Sequence, residues 1–148
     1  MTISLLAGLA LYTGCELVDP GPAQGVPGRC IVSSDYFVSD VFPNYLVEND
    51  CAKSGCHAEA SSSSLFVLKD VEGELSPLPG DPLSTWPLNW QFNFEQATSQ
   101  ITDCDIAALS PLYSKPAGGD TQAHEGGDNF SPDGPELETI HTWLTRGE

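Results

Sequence analysis

The stretch Cys51-Ala52-Lys53-Ser54-Gly55-Cys56-His57 places two thiols within reach of each other and an imidazole directly after the second. Covalent haem attachment requires such a set. Each thiol can form a thioether with one vinyl group of a porphyrin, and the adjacent histidine reaches the iron from one face. The common form of the motif is C-x-x-C-H. Here four residues, Ala52 to Gly55, separate the cysteines, and a loop of that composition can bulge outward while keeping the sulfurs at a fixed separation.

Other chemistries compete for the same residues. Zinc tolerates the Cys51/Cys56 spacing, but His57 is too close to Cys56 to join the same tetrahedron easily. The remaining ligands would have to be Cys30 and Cys104. A plain Cys51–Cys56 disulfide with no cofactor would make the chain a structural or protein-interaction module. The carboxylates Asp103, Asp105, Asp120, Asp128 and Asp133 are scattered, with no catalytic pairing, so the expectation is that the chain is not an enzyme. Asp128-Asn129 with Asp133 fits no calcium-loop spacing and reads as a solvated acidic turn. Trp86, Trp90 and Trp143 read as core or haem-wall aromatics.

Helices must position these groups. Asp40 is a good N-cap, and Val41, Tyr45 and Leu46 recur at helical spacing behind it. The pattern predicts a helix over residues 40–50, with Pro43 in its first turn, that delivers the chain to Cys51. Residues 58–92 are rich in Ser and Pro and read mostly as loop. Asn93 with Gln96 forms a capping box before Phe94, Ala97 and Ile101. Ser110-Pro111 opens a short turn through Leu112 and Tyr113. After a Gly-rich stretch from Gly118 to Gly134, Pro135 opens the clearest helix, with Leu137, Ile140, Trp143 and Leu144 on one face and Glu136 and Glu138 near its start. No strand signal and no internal repeat stand out.

The chain has 148 residues with 14 Gly and 12 Pro, which suits one small domain with long loops. Its net charge of −16, from 21 acidic and 5 basic residues, excludes a nucleic-acid binder and argues against adsorption to an anionic membrane through basic residues. Residues 3–14 are uncharged and too few to span a bilayer, so they read as the apolar core of a secretory signal. Thr13-Gly14-Cys15 resembles the lipobox of bacterial lipoproteins, although Tyr12 stands where an aliphatic residue is usual and no Lys or Arg precedes the apolar run. The organisation that follows is a signal peptide over residues 1–14, a Pro/Gly-rich tether over 15–29 lipidated at Cys15, and one domain over 30–148.

The order of the motifs resembles the small c-type cytochrome domains of bacterial outer-membrane lipoproteins, a divergent branch of class I cytochrome c. The residues that carry it are Val41-Phe42-Pro43-Asn44-Tyr45-Leu46, Ser54-Gly55-Cys56-His57 and Ser110-Pro111-Leu112, then His124-Glu125-Gly126-Gly127 and Ile140-His141-Thr142-Trp143-Leu144-Thr145-Arg146-Gly147. The resemblance covers residues from about 35 to the end of the chain. It implies an all-α, cytochrome c-like helical domain with long Pro/Gly-rich loops, whose first and last helices cross beside one covalently attached haem c.

Under that resemblance Cys51 and Cys56 hold the porphyrin and His57 is the proximal iron ligand. Met1 is the only methionine, which leaves His124, in the loop where the family presents its distal ligand, His141 on the last helix, or no protein ligand. His124 is the expected choice, and His141 reads as a hydrogen-bonded boundary residue. With Cys15 lipidated and two cysteines on haem, Cys30 and Cys104 are left to pair as a disulfide in an oxidising compartment. The implied function is single-electron transfer in the cell envelope, as an exported outer-membrane lipoprotein held to the membrane only by its N-terminal lipid. Redox partners with basic patches fit the acidic surface. Self-assembly that brings haems of neighbouring subunits close is an extension the sequence leaves open.

Overall fold

A computed structural model describes residues 30–52, 56–58, 66–118, 130–131 and 133–145. Among these residues every regular element is helical, and the β pairing is confined to an isolated parallel bridge between Ala58 and Leu68. The described residues are all-α at that level. Residues 1–29, with the expected signal, tether and Cys15, lie outside the described residues.

The first helix, α1, opens as an α-helical turn over Ser34–Tyr36 and continues without a break as a π-wound stretch over Phe37–Val47. Ser33 sets its start. From an extended backbone, its Oγ accepts from the Tyr36 N–H at 3.2 Å, and Asp35 adds a negative charge to the first turn. The helix expected from residue 40 therefore begins earlier. Asp40 is not its N-cap but lies within it, accepting from the Ser39 hydroxyl, and Pro43 is interior rather than in the first turn. The wide winding turns adjacent pairs inward every four residues: Phe37 and Val38, Val41 and Phe42, Tyr45 and Leu46.

A 3₁₀ turn, Leu83–Thr85, then precedes α2, Leu88–Ser99. Here too the local signal misplaces the boundary. Pro87 occupies the N-cap position, while Asn93 and Gln96 sit inside the helix and bond elsewhere. A second 3₁₀ turn, Ala107–Leu109, leads into the short α3, Pro111–Ser114. Ser110 precedes α3 as expected, but its buried side chain does not cap it. Its Oγ accepts from Thr102 N–H at 3.2 Å and donates to the Asp103 carbonyl at 3.0 Å, folding the preceding loop back on itself.

The last helix, α4, spans Pro135–Thr145 and packs on α1. Leu137, Ile140, Trp143 and Leu144 are buried, the face that the helical period marks. Gly134 makes the turn into it, because a Cβ there would stand 3.0 Å from the Ser131 carbonyl oxygen. Phe37 is the hub of the core, with ring centroids 5.2 Å from Phe94, 5.6 Å from Trp143, 5.7 Å from Phe42 and 6.5 Å from Trp86. Cys30 and Cys104 form a disulfide with Cα atoms 5.5 Å apart, which ties the approach to α1 to the loop after α2. No helix of the described residues is long and apolar enough to cross a membrane.

Candidate functional site

At the end of α1 the chain reverses. Asp50 takes a left-handed conformation, φ 58°, which Asp tolerates better than most residues. The Asn49 amide donates to the carbonyls of Asn44 and Tyr45, each at 3.1 Å, and so satisfies acceptors that the helix end leaves open. Cys51 N–H then donates to the Leu46 carbonyl at 3.0 Å, which brings the thiol back against the helix it has just left. Its Sγ lies 3.7 Å from the Tyr45 carbonyl oxygen and 3.9 Å from that of Asn49.

Burial is the main reason the Cys51 thiol titrates high, pushed up to about 11, with the neighbouring Cys56 and then Asp50 adding to the effect. Cys56 is exposed, and the two thiols are not bonded to each other. The cofactor-free disulfide hairpin expected as an alternative is thus absent from this structure. Beneath them, the buried Tyr45 hydroxyl donates to the Leu112 carbonyl at 2.5 Å, and desolvation, with Cys51 next, holds its proton far above the usual tyrosine range.

Cys51 makes a pH prediction. The folded chain binds this proton more tightly than the unfolded chain, whose ordinary value is 9.0. The stabilisation is therefore complete below pH 9 and is lost as pH climbs towards 11, by on the order of 2 kcal/mol. Urea midpoints measured across that range should fall for the free-thiol chain and fall less for Cys51→Ser. Equal slopes would place the thiol in water. A Cys51 converted to a thioether has no proton to lose and should behave like the serine variant.

His57 closes the turn. Its N–H donates to the Cys51 carbonyl at 3.0 Å, its carbonyl accepts from Leu68 N–H at 2.7 Å, and its Nδ1 lies 2.9 Å from the Phe66 carbonyl oxygen. A carbonyl can only accept, so in the neutral ring the proton is on Nδ1 and the lone pair on Nε2. The Phe66 ring packs on the imidazole with centroids 4.8 Å apart.

The segment that supplies Phe66 is extended, and its two edges serve different neighbours. Phe66 and Leu68 face His57. Val67 and Lys69 face α2, where Gln96 Oε1 accepts from Val67 N–H at 3.3 Å. Asn93 takes both polar groups of Lys69, accepting from its N–H at 2.7 Å and donating to its carbonyl at 2.9 Å. One turn further back, the Asn89 amide donates to the Asp70 carbonyl at 2.9 Å. By local pattern Asn93 and Gln96 read as a cap, and Asn89 and Phe66 carry no signal of a role. The legible signal was three amides at i, i+4 and i+7 in an otherwise aromatic-rich run, the spacing of one helix face.

The other expected residues divide. Cys30 and Cys104 are paired, so the four-cysteine zinc site is overturned: half of its donors are spent in the disulfide. Among the described residues no three His, Cys, Asp or Glu side chains are grouped to hold a metal ion by themselves. Lys53, Ser54 and Gly55 of the motif, and His124, lie outside the described residues. His141 is exposed on α4 beside a surface cavity of about 270 Å³ that is also lined by Tyr113, Asp133, Gly134, Leu137 and Glu138, and not by Cys51, Cys56 or His57. Comparison with family models, curated proteins and solved structures finds no match for the chain.

Proposed function

We propose that this protein is a monohaem c-type cytochrome that carries single electrons in the bacterial cell envelope. The observation that carries the reading is the placement of His57 directly after Cys56 with its Nδ1 2.9 Å from the Phe66 carbonyl oxygen, a contact that favours the tautomer in which Nε2 would be the iron-ligating atom. The neighbouring thiols fit the same group. Cys51 and Cys56 are both reduced and unbonded to each other, at the two ends of a turn closed by His57 N–H to the Cys51 carbonyl. A haem held there by two thioethers and His57 would supply a one-electron iron couple.

The remainder of the proposal follows from the chain's own features. The helical domain, with α1 packed on α4, is compatible with a cytochrome c-like arrangement. His124 is the proposed distal ligand, in which case both axial positions are imidazole, a set that favours ferric iron. The net charge of −16 acts in the same direction and would steer encounters with basic partners at rates that fall with salt. Export and anchoring through Cys15 complete the reading, and the paired Cys30 and Cys104 are in keeping with an oxidising compartment.

A pyridine haemochrome spectrum of the exported protein tests it. The expected result is a c-type band that survives acid–acetone extraction and disappears when Cys51 and Cys56 are both replaced by alanine. A colourless protein in which both thiols are alkylated overturns the proposal in favour of a cofactor-free envelope module. His124→Ala should then turn a low-spin spectrum high-spin. An unchanged spectrum removes His124 from the iron.

A further inference from the structure

We propose that Asn93 is a positioning residue for His57, acting from α2 through the extended segment 66–70. The inference rests on the haem reading only for its functional consequence; the positioning itself concerns residues that are all described.

A segment one strand wide has two polar edges, and alternate residues send their N–H and C=O groups to opposite sides. The edge formed by Phe66 and Leu68 is taken by His57, whose Nδ1 and carbonyl are both bonded to it. The opposite edge has no partner strand among the described residues. Asn93 stands in for one: its carboxamide makes with Lys69 the reciprocal N–H and C=O pair that a neighbouring peptide would make.

The fit of helix to segment is set by pitch. Contacts run Gln96 to Val67 and Asn93 to Lys69 along one edge, and the Asp70 carbonyl, departing from the alternation, turns back to Asn89, so the two elements are antiparallel. From Gln96 to Asn89 a helix rises about 10 Å, and from Val67 to Asp70 an extended chain covers about the same distance. The amides therefore hold the segment in register, and a slip of one residue would turn the Phe66 carbonyl away from His57.

Asn93 is the member of the set with no other evident purpose. It is 0 % exposed inside a helix, where a carboxamide is a poor choice on propensity and is tolerated in a core only when its donor and acceptor are both engaged. Both are engaged, and by one residue. An apolar side chain would pack there equally well if the position served only to fill the core.

The test reads the imidazole itself. In the full-length diamagnetic protein, ferrous if haem is bound, nitrogen-15 NMR of His57 should show the Nδ1–H tautomer with slow solvent exchange. Asn93→Leu keeps the branched heavy-atom skeleton, at some gain in volume, and removes both bonds. Gln96→Ala, at a half-buried site that should fold in any case, loosens the residue next to Phe66. Both variants should exchange the Nδ1 proton about tenfold faster, the protection one net hydrogen bond confers. If haem is bound, the midpoint potential should move positive, because a weaker Nδ1–H bond makes the ligand less basic. Thr98→Ala, on the same helix but with its hydroxyl bonded only within it, should leave the signal unmoved. Asn93→Leu and Gln96→Ala that are folded and retain wild-type tautomer and exchange overturn the proposal. A colourless protein that shows the expected exchange change sinks the haem reading and leaves this one standing.

Discussion

Replacing Cys30 and Cys104 together by serine should lower the unfolding free energy by about 4 kcal/mol, among the largest losses any two side chains of this protein can produce. The two residues are 74 apart in sequence, and the bridge closes a loop that contains α1, the cysteine–histidine turn and α2. Its main effect is on the unfolded chain, whose freedom it removes. The Cα separation of 5.5 Å lies in the range that a disulfide spans without moving the backbone. Urea unfolding should show a lower midpoint and a steeper slope in the variant, because the open chain exposes more surface when it unfolds. A loss below about 1 kcal/mol would mean that the denatured ensemble already keeps these ends together. The bridge also has a chemical consequence. While it is closed, Cys51 and Cys56 are the free thiols among the described residues, and neither can be diverted into a pairing with Cys30 or Cys104.

The legible and illegible parts of this fold differ for physical reasons. α4 reads directly from the sequence because its burial follows the ordinary helical period, with Pro135 before it and acidic residues in its first turn. α1 does not. Its buried residues recur as adjacent pairs every four positions, and a search at 3.6 picks up only Val41, Tyr45 and Leu46 and then attaches the nearest good cap, Asp40. The true cap, Ser33, is separated from those residues by about two turns of chain that looks mixed. α2 fails in the opposite way. Asn93 followed by Gln96 has the pattern of a helix start, and the amides are in fact spent on a distant backbone segment, a tertiary use that overrides local preference.

The site divides along the same line. Residue types and spacing single out Cys51, Cys56 and His57 as candidates, and cysteine counting finds the Cys30–Cys104 pair that the structure contains, because side-chain chemistry is written in the sequence. The acceptor for His57 is a main-chain carbonyl nine positions away, and every residue has one. Its role comes from where α2 holds it, which only the folded chain reveals.

Trp143→Ala should cost about 4 kcal/mol, comparable to the disulfide but through the folded state. The indole is completely buried, meets Phe37 of α1 at 5.6 Å and Phe94 of α2 at 6.3 Å, and so joins three helices. Its Nε1–H also donates to the Ser33 carbonyl at 2.8 Å, beside the first intrahelical bond from Phe37 N–H at 3.1 Å. Both lone pairs of that carbonyl are thereby used at the residue whose hydroxyl starts α1. Trp143→Phe separates the two contributions, since it keeps most of the ring and removes the donor. A loss of about 1–2 kcal/mol is expected, the size of one hydrogen bond plus a small void. Equal losses in the two variants would assign the whole effect to the bond. Ser33 lies just after Cys30, so the bridge and the indole hold the same approach to α1 by different means. If the bridge acts on the unfolded chain alone, its loss and that of Trp143→Phe should add to within about 0.5 kcal/mol. A larger combined loss would show that the disulfide also keeps Ser33 in place for the indole, and that the cap of α1 is held from both sides.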